Sequence, residues 1–248
     1  MTLTEVYGVK IKLRNSCVSF AEDVGRINYQ KTNDSKSMLK IELSGASTSV
    51  QQRHIGAIAA LVLISLLSSL SGLPVNHAIS NWSEGLLWGM AEPVIRLDHL
   101  ASLVAIGLIS GRTVHGALMA ATFVLATVFG TIIHLFPLSL AGAEIAIAAS
   151  TIIFGAMLVT SNLPNWVALT VIGAIAGLFH GYADGDGIIG TGIIPLVAYV
   201  LGVTLTQYVV AMSAREIKPL LSSKIRFTGL AFCALGIMFL SYSIKYYY

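Results

Sequence analysis

The sequence is poor in charged residues and has almost no cysteine. Charged residues make up 11% of its 248 positions, whereas a soluble domain has about 25%. This shortage excludes an ordinary soluble domain, and no nucleic-acid partner is expected. The two cysteines are Cys17, in a polar tail, and Cys233, in an apolar run. With two distant cysteines and no CxxC, neither a disulfide framework nor a cysteine metal site is indicated.

Long apolar runs fill most of the chain instead. Hydrophobic residues make up 55% of it, and the mean hydropathy is +0.79. The runs are roughly 18 to 24 residues long, enough to cross about 30 Å of hydrocarbon. Spans are predicted near 54–73, 93–110, 113–135, 139–160, 164–183, 190–212 and 225–244. The sequence therefore predicts an all-α polytopic membrane bundle over 54–248, with about seven transmembrane helices.

The residues before the first span, 1–53, form a polar tail with eight of the fifteen Lys and Arg residues. Alternation in "YGVKIKLRN" and "MLKIEL" is compatible with two short strands, and a disordered tail is the alternative. A signal peptide that begins at Met38 and is cleaved near Ala78 is a further interpretation of the first span. A retained helix is favoured because the apolar run is longer than a usual signal-peptide core.

Basic residues predict the orientation of the bundle. With the tail in the cytoplasm, seven crossings place these residues inside: Arg53, Arg112, Arg215, Lys218, Lys224 and Arg226. The opposite side then carries mainly acidic loop residues, as the positive-inside rule requires. We therefore expect a cytoplasmic tail and an integral protein of a bacterial-type inner membrane or an internal photosynthetic membrane.

Ionisable residues are concentrated in the predicted outer half of the bundle. Glu92 precedes Pro93, a residue suited to the first helical position, so a helix is predicted to begin there. Asp98 and His99 then lie about 8 to 10 Å further along at 1.5 Å per residue. The other outer candidates are His77, His134, Glu144, His180, Asp184 and Asp186. Imidazole with carboxylate suits first-row divalent metals, so a pathway for such a metal is the favoured interpretation.

Three segments resemble the HupE/UreJ family. "EPVIRLDHLASLVAIGL" is similar to its HPxxGxDHLxAxxAxGL motif, "GAEIAIAAS" to its glutamate-bearing fourth segment, and "LFHGYADG" to its FHGxAHG motif. The order and spacing of all three match, so the resemblance covers about 77–215. It implies a small nickel or cobalt permease, without its own ATPase, linked to the maturation of hydrogenase, urease or other metalloenzymes. It places Asp98, His99, Glu144 and His180 at the motif positions and, loosely, His77.

The sequence departs from that family at three motif positions. Glu92 stands where the family has its first histidine, Arg96 at the motif glycine, and Asp184 at the second histidine of FHGxAHG. Two carboxylates in place of histidines would shift the metal preference toward Mn, Mg or Ca. Arg96 lies one turn from Glu92, and a pairing of these two side chains would neutralise the carboxylate.

The metal candidates also have interpretations without metal. Asp98 with His99 fits a buried polar pair, His180 with Asp184 an i,i+4 hydrogen bond, and Glu144 a carboxylate near a helix N-terminus. Glu92 is then a cap or the partner of Arg96. His77, His134 and Asp186 are more typical of interfacial polar residues.

Three classes of function remain from the sequence. The leading one is a divalent-metal transporter in a lipid bilayer, with the metal as substrate and no resident cofactor or catalysis. The second is a non-transporting subunit of a larger membrane complex, derived from the permease. The third is an intramembrane metal hydrolase, in which His and Asp ligands activate a water molecule. The sequence has no HExxH or nucleophile motif for that third class.

Overall fold

The chain folds as a bundle of α-helices. The structure, a computed structural model, describes residues 49–71, 79–136, 142–188, 190–217 and 222–247, with Arg26 and Gln30 in the tail. The helices are α1 (Ser49–Ser71), α2 (Trp82–Ile95), α3 (Leu97–Ser110), α4 (Gly116–His134), α5 (Ala143–Val159), α6 (Trp166–Asp184), α7 (Ile193–Arg215) and α8 (Ser222–Tyr247). A short 3-10 helix, Gly185–Ile188, follows α6. The all-α prediction is confirmed for these residues, while the predicted tail strands and the cleavage site near Ala78 lie outside them.

The helices have the lengths and composition of membrane spans. Within the described residues, 5 helices are long and apolar enough to cross a membrane, and 6 spans result if α2 and α3 are counted as one bent span. Helix α5 is apolar but shorter, with 17 residues, at the lower limit of about 17 to 25 for a spanning helix. If α5 is counted as a span, the number reaches the seven predicted from the sequence.

The prediction that a helix begins at Pro93 is wrong. Helix α2 begins at Trp82, where the Asn81 side chain accepts a hydrogen bond from the Glu84 N–H at 2.9 Å. Pro93 lies inside this helix, a position that membrane helices tolerate because neighbouring elements satisfy the freed carbonyl. The predicted single span 93–110 is instead two helices, bent by 77° at Arg96. Arg96 has an extended backbone, with φ −82° and ψ 111°.

Helix α3 lies at the centre of the bundle. Every residue in it except Asp98 is buried. Its apolar side chains pack against helices on several sides, including Phe123 of α4, Phe154 of α5 and Val210 of α7. A side chain at the start of α3 therefore lies in the interior of the protein rather than in lipid.

The pair α2 and α7 packs with its backbones in close contact. A Cβ at Gly89 of α2 would lie 2.1 Å from the carbonyl oxygen of Tyr199 on α7. Small residues of this kind allow membrane helices to approach closely. The contact brings Tyr199 next to the last turns of α2, where Glu92 lies.

Arg112 joins the turn after α3 to the carboxyl end of α5. Its guanidinium donates hydrogen bonds to the carbonyls of Met157 at 3.1 Å, Thr160 at 2.9 Å and Ser161 at 3.3 Å. The last carbonyls of a helix have no partner within the helix, and a cation stabilises them. Arg112 therefore caps α5.

We expect the substitution Arg112→Ala to lower the free energy of unfolding by about 1 kcal/mol, because several partly solvated charged hydrogen bonds are lost. The measurement is unfolding of the purified protein by denaturing detergent, followed by circular dichroism. The control, Arg112→Lys, keeps the positive charge but not the planar guanidinium with its several donors. Its loss of stability should therefore be smaller than that of Arg112→Ala. Equal stability of Arg112→Ala and the wild type would contradict this role.

Candidate functional site

A group of ionisable side chains lies where α2 meets α3 and α6 ends. We call it the histidine–carboxylate cluster, and its members are Glu92, Asp98, His99, His180 and Asp184. Four of them are buried, with exposed fractions of 6% for Glu92, 3% for His99, 2% for His180 and 0% for Asp184. The Asp98 side chain is 18% exposed. Buried ionisable groups in a membrane protein are costly and therefore point to a functional site.

His99 lies between two carboxylates. Its Nδ1 is 2.9 Å from Oδ1 of Asp184, and its Nε2 is 3.8 Å from Oδ2 of Asp98. Although the first distance is short, neither ring nitrogen nor Asp184 Oδ1 has a hydrogen bond of good geometry to any residue that the structure describes. Close polar atoms without directed hydrogen bonds are unfavourable in a protein interior. These atoms are therefore the ones best placed to act as ligands to a cation.

His180 faces His99 across the interface between α3 and α6. The two ring centroids are 4.7 Å apart, in an edge-to-face arrangement. His180 Nε2 is 3.3 Å from Oγ of Ser150, whose hydroxyl donates to the carbonyl of Ile147 at 2.7 Å. While it donates to Ile147, the Ser150 hydroxyl can accept from an N–H at His180 Nε2, and in that tautomer the lone pair of His180 is on Nδ1. The i,i+4 hydrogen bond between His180 and Asp184 is not formed, since Asp184 reaches toward His99.

Two residues of α7 hold the carboxylates in place. The Tyr199 hydroxyl lies 2.7 Å from Oε2 of Glu92 and 3.0 Å from the carbonyl oxygen of Asp184. Gln207 donates from Nε2 to Oδ2 of Asp184 at 3.4 Å and accepts from Thr127 Oγ1 at 2.6 Å. All of these side chains are buried. Helix α7 therefore fixes the position of two carboxylates that come from α2 and α6.

Arg96 pairs with Asp98 rather than with Glu92, the partner that the sequence suggested. Arg96 Nη2 is 3.0 Å from Oδ2 of Asp98 and 3.9 Å from Oε1 of Glu144. The reason is the bend at Arg96, which ends the helical register that would have stacked its side chain on Glu92. Glu92 points instead to Tyr199.

The remaining candidates lie at the edge of the cluster or outside the described residues. The Glu144 side chain is 50% exposed and reaches the cluster through Arg96. His134 packs against Tyr182, with ring centroids 4.4 Å apart. His77 and the side chain of Asp186 lie outside the described part of the chain. The five residues of the cluster were thus all candidates from the sequence. The sequence analysis missed Ser150, Tyr199 and Gln207.

The arrangement is not a preformed metal centre. Among the described residues, no group of three or more His, Cys, Asp or Glu side chains has the geometry to hold a metal ion. The Arg96 guanidinium forms a salt bridge with one oxygen of Asp98, and the Tyr199 hydroxyl forms a hydrogen bond with Glu92. Simultaneous ligation by His99, His180 and a carboxylate therefore requires side chains to move.

These features define a polytopic membrane protein with a histidine–carboxylate cluster buried in its helices. The family model described as HupE / UreJ protein matches residues 51–239, and the chain belongs to this family. The family is associated with nickel and cobalt uptake for the maturation of hydrogenase and urease, and it is an accessory and transport family.

One curated relative is similar to about half of the chain. Over 133 residues, 52% of this chain, it is 31% identical to Protein HupE of Rhizobium leguminosarum bv. viciae. The match spans 64% of that relative's length. No solved structure matches the chain.

Proposed function

We propose that this protein is a membrane permease for a divalent transition metal ion, nickel or cobalt, that supplies metalloenzyme maturation. It would work as a facilitator or secondary transporter, with the metal as its substrate. The observation that carries the proposal is the burial of His99 and His180 edge to face beside Asp184, within a bundle of apolar helices. Imidazole nitrogen suits nickel and cobalt, and carboxylate compensates the charge of the ion.

The break between α2 and α3 supports a transport site at this position. Secondary transporters commonly build their ion sites where membrane helices are interrupted and the backbone departs from helical geometry. Here the interruption is Arg96, and Asp98 and His99 lie in the first turn of α3 directly after it. A change of angle at this break would move His99 relative to His180, which belongs to a different helix.

The cluster residues have two kinds of role in this proposal. His99 and His180 supply the nitrogen ligands, and Asp184, Asp98 and Glu92 are the carboxylates that neutralise the ion. Glu144, being half exposed, attracts cations to the cluster. The protein would act in a bacterial-type inner membrane or an internal photosynthetic membrane, with the tail 1–53 in the cytoplasm and the bundle 54–248 in the lipid.

A non-transporting subunit of a larger membrane complex is the second candidate. The observation that favours it is Arg96, whose guanidinium is bound to Asp98 at the edge of the cluster. A fixed guanidinium would oppose the entry of a divalent cation. Stoichiometric co-purification with a large complex, without bound metal, would support this second function.

The test of the permease function is metal uptake by the purified protein in sealed proteoliposomes. We expect nickel or cobalt to accumulate faster than in protein-free vesicles. Nickel and cobalt should also enter faster than magnesium, because His99 and His180 keep two imidazoles in the cluster despite the carboxylates of Glu92 and Asp184. Adding a proton ionophore would then show whether the flux depends on a proton gradient. The absence of nickel and cobalt flux from a folded preparation would reject the permease function.

Tyr199→Phe is expected to weaken transport without unfolding the protein. The substitution removes the hydroxyl that binds Glu92 and keeps the ring that fills the space between α2 and α7. Loss of a residue that orients a metal ligand costs about 10- to 100-fold in metal affinity or activity. The half-saturating nickel concentration should rise accordingly, with normal elution in size-exclusion chromatography.

Tyr208→Phe, at a half-exposed position on the same helix, is the control and should behave as wild type. Unchanged uptake by Tyr199→Phe would exclude a positioning role for Tyr199.

A further inference from the structure

Arg96 occupies a special position in the backbone as well as in the cluster. It is the single non-helical residue between α2 and α3, at the 77° bend. Its side chain is 19% exposed, so it is mostly enclosed by protein.

The guanidinium shares one oxygen atom with a histidine of the cluster. Oδ2 of Asp98 lies 3.0 Å from Arg96 Nη2 and 3.8 Å from His99 Nε2. A divalent cation bound by that oxygen and His99 would be placed next to the guanidinium. Two cations at such a distance repel strongly in a poorly solvated site. Arg96 and the metal ion therefore compete for Asp98.

The structure also offers the guanidinium a second anionic partner. Oε1 of Glu144, on α5, is 3.9 Å from the same Nη2 atom, and the Glu144 side chain is half exposed. Arg96 can therefore exchange Asp98 for Glu144 and remain paired with a carboxylate. This exchange moves the positive charge away from His99 and toward the more exposed side of the cluster.

Resting on the permease function proposed above, we propose that Arg96 is an internal competing cation that sets the metal concentration at which the site fills. At low metal concentration the guanidinium holds Asp98, and the cluster carries no metal. When a divalent ion binds Asp98 and His99, the Arg96 guanidinium leaves Asp98 and pairs with Glu144. Arg96 thus determines the affinity of the site without itself binding the metal.

Nickel uptake by Arg96 variants in proteoliposomes tests this role. Arg96→Gln and Arg96→Gly remove the competing charge, so the half-saturating nickel concentration should fall by about tenfold, equivalent to about 1.4 kcal/mol. Arg96→Lys keeps the charge and should stay close to wild type. If the wild type transports and both neutral variants keep its half-saturating concentration, or raise it, Arg96 is not a competitor and the permease function stands. If the folded wild type shows no flux, the permease function fails, and the role of Arg96 fails with it.

A measurement on the wild-type protein covers the case in which the variants do not fold. Phenylglyoxal modifies accessible guanidinium groups, and mass spectrometry locates the modified arginines. With nickel added, Arg96 should be modified several-fold faster, because it has moved toward the exposed Glu144, while Arg112, which caps α5, should be modified at an unchanged rate. Equal or slower modification of Arg96 with nickel would contradict the exchange.

Discussion

Replacing His99 by alanine is expected to reduce nickel or cobalt uptake by about 100-fold or more. His99 is the residue that contacts two carboxylates of the cluster and faces His180. The loss of a residue that only orients a metal ligand lowers metal affinity or activity by about 10- to 100-fold. The loss of a direct ligand should therefore lower uptake by at least about 100-fold. The measurement is the initial rate of uptake in proteoliposomes at several metal concentrations.

His115→Ala is the matched control for His99→Ala. His115 lies just before α4 and packs against Trp166, with ring centroids 4.7 Å apart, away from the cluster. Uptake by this variant should equal that of the wild type. Both variants should elute as folded protein in size-exclusion chromatography. A folded His99→Ala variant that transports metal at the wild-type rate would remove His99 from the pathway.

Gly181→Ala is expected to have the largest effect on folding. A Cβ at Gly181 would lie 1.7 Å from the carbonyl oxygen of Thr127 and 2.6 Å from its Cα, so α4 and α6 cannot keep their spacing. Overpacking commonly costs about 1 to 3 kcal/mol, and here the opposing atoms are backbone atoms of α4, which cannot rotate away as a side chain can. We expect at least about 3 kcal/mol of lost stability and little folded protein.

Gly173→Ala on the same helix is the control for Gly181→Ala. A Cβ at Gly173 would lie 3.3 Å from the Cδ1 atom of Ile106, the mobile end of a side chain. That variant should fold, and its stability should stay within about 1 kcal/mol of wild type. The readout is the yield of monodisperse protein and its unfolding by denaturing detergent. A stable Gly181→Ala variant would show that α4 and α6 are not tightly packed.

The helical spans were predictable because a membrane imposes a simple rule on the sequence. Runs of about 20 apolar residues identify spans whatever their tertiary contacts are, and α4, α6 and α7 lie within a few residues of their predicted bounds. The second span was mispredicted because Pro93 favours a helix start locally. Packing of α2 on α7 through Gly89 overrides that preference. The bend at Arg96 and the contact of α2 with α7 are both tertiary features, which a pattern along the chain does not contain.

The candidate site was predictable in its members and not in their pairing. Ionisable residues in apolar spans are few, so Glu92, His99, His180 and Asp184 stand out by composition. Which of them touch depends on helix rotation, and His99 rather than His180 reaches Asp184. Gln207 and Tyr199 could have been found as polar groups in the middle of an apolar run. Ser150 could not have been found from the sequence, because serine is common in membrane helices where it has no functional role.

The most direct test of the account is the ligand set of nickel bound to the purified protein, measured by X-ray absorption at the nickel edge. The account predicts near-stoichiometric nickel with imidazole nitrogen among its ligands. The imidazole contribution should fall in His180→Ala and stay unchanged in His115→Ala. A folded protein that binds no nickel or cobalt, or that binds it without imidazole, would contradict the claim that the buried histidines hold the transported ion.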